Sequence, residues 1–162
     1  MSRQRRGTWV VVLSLFVALV LAVVPLPDWL DWLRPHFPLL VLVYWCAALP
    51  ARYGTWTGLL LGLVLDVLRG QPLGLNAAVL AVAGFAAGHL GARLKVYPMA
   101  QQAMVVGLLT GATLVLGRLL GNMAGTTTMA LLPSLLPLVT TALLWPWALA
   151  VLDRLRRRFA VG

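Results

Sequence analysis

Charge is scarce in this chain, and negative charge scarcer still. Of 162 residues only 10% are charged, four acidic against thirteen basic. Soluble domains carry about 25% charged residues, so the composition leaves no room for a separate water-soluble domain. Cysteine occurs once, at Cys46, which excludes an intramolecular disulfide and leaves the redox compartment unspecified. No His, Cys, Asp or Glu cluster has metal-ligand spacing, and His36 and His89 fall at different depths. There is no phosphate-binding loop, and no serine sits in a strand-turn-helix elbow. These absences speak against an enzyme and against a bound cofactor.

What is present is apolar. Hydrophobic residues make up 61% of the chain, with seven Trp and fifteen Gly. Six apolar segments stand out, at 8–24, 38–49, 54–68, 75–92, 99–117 and 131–152. They predict one all-α domain over 1–162, a multi-pass transmembrane bundle of about six helices with the lipid bilayer as its solvent. The basic start and first apolar run resemble a signal peptide, but PLPDW follows instead of a small-residue cleavage site. An uncleaved first span is expected. The second and third segments are short, about 18 and 22 Å at 1.5 Å per residue. They read as two short spans or as one re-entrant hairpin tipped at Pro50–Arg52. The hairpin would bury Arg52 at mid-depth, at a cost of about 2.5 kcal/mol or more, so two spans are favoured.

Six spans put both termini on one side. On that side fall Arg3, Arg5, Arg6, Arg52, Arg93, Lys95, Arg154, Arg156, Arg157 and Arg158; the other holds only Arg34, Arg69 and Arg118. Cytoplasmic connections collect Lys and Arg, which places both ends in the cytoplasm. Such clustering at segment ends also argues against nucleic acid as a partner. The first external loop, PLPDWLDWLRPHFP, puts Trp29, Trp32 and Leu33 on one helical face. That suits a short turn lying in the interface, or a docking surface.

Asp66 is the only acidic residue within the six segments, in the last turn of the third. It reads as a helix-end carboxylate paired with Arg69, or as an internal clamp on the turn RGQPLGLN, with Gln71, Gly74 and Asn76 at hand. As a proton relay it lacks a second acid. Glycines recur four apart at Gly58 and Gly62, Gly84 and Gly88, Gly107 and Gly111, Gly117 and Gly121. Such pairs let helices approach closely, within the chain or in a homodimer. In the sixth segment Trp145, Pro146 and Trp147 form LWPW where an aromatic belt belongs, and Pro146 removes one helix hydrogen bond. Beyond it Arg154, Arg156, Arg157 and Arg158 make a basic patch. It suits anionic lipid at about 1 kcal/mol per charge, or an acidic cytoplasmic partner.

These pieces together resemble the bacterial MreD family of rod shape-determining proteins over nearly the whole length. They are RQRRGTW at 3–9, PLPD at 25–28, RPHFPLLVLVYWCAALP at 34–50, GTWTGLLLGLVLDVLRGQPLG at 54–74, QQA at 101–103, and LWPW with its basic tail. Met99-Ala100 stands where the family has an aromatic before QQA. The resemblance implies a non-enzymatic inner-membrane component of the machinery for lateral wall growth. Its implied partners are MreC, a single-pass membrane protein, the actin-like MreB filament, and peptidoglycan synthases. It also implies a fold similar to the membrane substrate-binding subunit of energy-coupling-factor transporters. A small-molecule-binding transporter subunit is the alternative. It finds few buried polar groups beyond Tyr44, Thr57, Asp66, Asn76 and Thr110.

Overall fold

The computed structural model describes residues 2–31, 33–50, 52–125 and 136–159, without the side chains of 2–7, 30, 31 and 92. All regular structure among them is helical. In chain order the helices are α1 (Ser2–Val23), α2 (Asp28–Asp31), α3 (Phe37–Ala48), α4 (Thr55–Arg69), α5 (Leu75–Leu94), α6 (Met99–Met123) and α7 (Leu136–Arg158). Six are long, and α2 is the single turn expected in the first external loop. Trp32 and residues 131–135 of the sixth segment lie outside the described residues.

Helix ends depart from the expected ones where packing overrides local signals. The fifth segment does not stop at Gly117. Helix α6 continues to Met123, because Gly121 is buried and Gly117 lies against Val79 of α5. Helix α7 runs to Arg158 with Pro146 inside it. Helices α6 and α7 are long and apolar enough to cross a membrane, while α1, α3 and α5 contain shorter apolar stretches.

The bundle is organised around α3 and α5. Helix α3 is buried along most of its length: Leu39, Leu42, Val43, Trp45 and Cys46 expose nothing. It packs on α1, α5 and α7, while α5 also carries α4 and α6. Contact between α3 and α4 is slight, so they do not form a paired hairpin. Polar side chains tie the layers together. Trp45 Nε1 donates to Ser14 Oγ on α1 at 2.9 Å, and Tyr44 Oη donates to Asp153 Oδ1 on α7 at 2.7 Å. Trp145 Nε1 donates to Gln102 Oε1 on α6 at 3.3 Å.

Unlike a water-soluble domain, the bundle carries large apolar side chains on its outside as well as in its core. Asp66, Asn76, Thr110, Thr113 and Thr141 are inside, while Phe16, Leu60, Phe85, Leu108 and Leu143 face outward, each more than half exposed. Helices with apolar outer faces belong in a membrane or a larger core.

Candidate functional site

The ridge Gly58, Gly62, Asp66 runs along α4 at four-residue spacing against α5. A methyl group at Gly58 would lie 2.0 Å from the Leu80 carbonyl oxygen, and one at Gly62 2.4 Å from Ala77 Cα. Only glycine permits this approach, and the approach brings Asp66 to the start of α5. The chain between them is a short turn. Gly70, at φ 62°, ends α4 with Gly70 N–H donating to Val67 O and Gln71 N–H to Asp66 O. That is a Schellman ending. Gly74, at φ 103°, then opens α5. Both positions sit in the left-handed region, where a Cβ is strained.

Gly74 occupies the position where a capping side chain normally accepts the first helical N–H groups, and it has none to offer. Asp66 supplies the missing acceptor from another helix. Its Oδ1 accepts from Asn76 N–H and Asn76 Nδ2, both at 2.9 Å. Its Oδ2 accepts from Gly74 N–H at 2.9 Å and Ala77 N–H at 3.3 Å. Asn76 Nδ2 also donates to Gln71 Oε1 at 2.7 Å. The carboxylate is fully buried, and it lies at the positive end of the α5 dipole. Here it is a clamp.

Arg69 extends the same end of the bundle. Its Nη2 donates to Ala22 O at 3.3 Å, and Arg34 donates to the carbonyls of Leu21 and Val24. Two arginines thus meet carbonyls at the end of α1 that lack helical partners. Between them and α7, His36 N–H donates to Thr141 Oγ1 at 3.1 Å. Burial, then the Arg69 charge, pushes the His36 imidazole down to about 4, although other parts of the residue remain accessible.

The remaining sequence candidates separate. Trp29 is exposed beside Leu33. The two tryptophans of LWPW part company: Trp147 is 75% exposed, as a belt residue should be, but Trp145 is 2% exposed and belongs to the core. Residues two apart on a helix point about 200° apart, from 3.6 residues per turn, so they cannot share one face. The basic patch also divides. Arg154, Arg157 and Arg158 are exposed, with Arg157 3.9 Å from Asp153, whereas Arg156 turns inward beside Tyr44. Gly107 and Gly111 pack within the chain, against Ala142 and Leu138 of α7. A methyl group at Gly88 would meet nothing; the close approach there is at Gly91, where one would lie 2.7 Å from Ala47 Cα, a position that spacing did not single out. Of the polar groups considered for a transporter subunit, Asp66 and Asn76 bond to each other, Thr110 bonds to its own helix at Val106 O, and Tyr44 bonds to Asp153.

Another feature is absent from any motif. An apolar cavity of about 770 Å³ opens between α1, α3 and α7. Trp9, Leu13, Val17 and Leu21 line one wall, Leu144, Trp147, Val151 and Leu155 the other, and Val41 the floor. From Trp9 to Leu21 it extends about 18 Å at 1.5 Å per residue.

An apolar-faced helical bundle of this kind, with a buried carboxylate capping one of its helices, is a membrane-associated protein. The family model described as rod shape-determining protein MreD matches residues 3–155. The chain is 30% identical over 151 residues to the rod shape-determining protein MreD of Haemophilus influenzae, covering 93% of each. The chain belongs to the MreD family. No solved structure matches it.

Proposed function

We propose that this chain is a non-enzymatic, multi-pass protein of the bacterial inner membrane with both termini in the cytoplasm. In this reading it seats the transmembrane helix of an MreC-like single-pass protein, and so helps couple the MreB filament to the wall synthases. The α1–α3–α7 groove carries the reading. It is apolar apart from Ser14 and long enough for several helical turns, and Trp9 and Trp147 stand exposed on its walls. Helices in lipid associate by packing into such shaped surfaces rather than by escape from water. The Asp66 clamp and the arginines at the end of α1 hold the opposite rim, and the exposed arginines of α7 face the cytoplasm.

The contacts support the alternating path. Ends that six crossings put outside meet each other, as Arg69 with Ala22 and His36 with Thr141. Ends that they put inside also meet, as Lys95 with Ala48 and Tyr44 with Asp153. The test is co-purification of the MreC-like partner in mild detergent. Ala148→Trp fills the groove and should abolish recovery. Leu108→Trp, on an exposed face of α6, should leave recovery at the parental level. Equal recovery with both variants contradicts the reading.

A further inference from the structure

A second cavity, of about 200 Å³, lies among α3, α7, the end of α5 and the start of α6, and its chemistry is unlike the groove's. Its wall carries Tyr44, Lys95, Gln102, Trp145, Asp153 and Arg156. We propose that it binds one phosphate-ester anion, of the kind an anionic phospholipid presents at the membrane surface. The proposal rests on the membrane placement above and is independent of the partner.

Two cations and one carboxylate leave the cavity net positive. The carboxylate is already engaged: Asp153 Oδ1 accepts from Tyr44 at 2.7 Å, and Arg157 approaches Oδ2 at 3.9 Å from outside. Lys95 Nζ donates to Ala48 O at 3.2 Å. That contact offsets the negative end of α3 and fixes one of three ammonium donors. Arg156 lines the cavity and is partly buried, unlike the exposed Arg154, Arg157 and Arg158. Gln102 is already committed, its Nε2 donating to Tyr97 O at 3.0 Å and its Oε1 accepting from Trp145, so the two cations are the donors left to an anion. Volume decides the ligand's size. Pockets for drug-sized molecules start at about 300 Å³, so this one takes a headgroup and not a whole soluble substrate. Basic pockets between membrane helices on the cytoplasmic side bind acidic lipid heads in this way.

The experiment is native mass spectrometry of the purified full chain, titrated with phosphatidylglycerol or with phosphatidylcholine of the same acyl chains. Phosphatidylglycerol should be retained in preference. Lys95→Gln and Arg156→Gln should each weaken it about fivefold, and Arg158→Gln, the same charge change outside the cavity, by less than about twofold. Asp153→Asn should tighten binding, an outcome that misfolding cannot mimic. Equal retention of both lipids, equal weakening by Arg158→Gln and Arg156→Gln, or weaker binding by Asp153→Asn would each overturn the proposal. Displacement by inorganic phosphate, with the same dependence on Lys95 and Arg156, supports the anion site and assigns it to soluble phosphate. No displacement assigns it to lipid. No partner is present in this assay, so its failure and that of the groove are separate results.

Discussion

At Asp66 each carboxylate oxygen accepts two N–H donors. Ala would strand four donors in a buried site, where an unmet donor costs about 1–3 kcal/mol. Part of that is recovered by relaxation, leaving a loss on the order of 3 kcal/mol. Asn keeps one acceptor but turns an NH₂ group toward two donors. Thermal melting in detergent should therefore place Asp66→Asn below the parent and close to Asp66→Ala; an Asn variant melting with the parent refutes the clamp. The carboxylate was legible in the sequence as an isolated acid near Gln71 and Asn76. Its targets, the N–H groups of Gly74, Asn76 and Ala77, were not, because they are reached only through the glycine-allowed contact of two helices. His36 gives a pH test. Its pKa is lowered from 6.5 to about 4, so the unfolded state binds the proton more readily between those values. Stability is complete above about pH 6.5 and falls as pH drops toward 4, by on the order of 3 kcal/mol. His36→Gln should flatten that part of the stability profile relative to the parent. Parallel profiles would show that the imidazole is not held neutral.

Among the elements, the α4–α5 pair is the tightest. Replacing Gly62 by Ala puts a methyl group into the backbone at Ala77, and overpacking of this kind costs about 1–3 kcal/mol. It also moves the Asp66 oxygens away from α5. Gly62→Ala should thus lower the melting temperature and, in combination with Asp66→Ala, lose less than the sum of the two. Strict additivity would show that the ridge and the clamp are separate. Helix existence was legible from apolar runs between turn residues. Helix ends were less so: the fifth apolar segment ends at Gly117, yet tertiary contacts carry α6 onward to Met123. Trp145 and Arg156 were misplaced for a related reason. Composition groups them with their neighbours Trp147 and Arg157, while helical phase turns them inward.

For the whole molecule, the distribution of Lys and Arg supplied an expected orientation, while the helix contacts follow an alternating path that is the same in either orientation. The groove was not legible, because its walls come from residues more than 120 positions apart, such as Leu13 and Val151, joined only by folding. It is also where the proposed partner helix would sit. The most direct measurement is disulfide cross-linking in native membranes, with Cys46 first replaced by Ala. Leu13→Cys and Val151→Cys should each trap cysteines placed on one stripe of the partner's transmembrane helix, while Leu108→Cys traps none. Cross-links from Leu108→Cys alone, or from none of the three, would contradict a helix seated between α1 and α7.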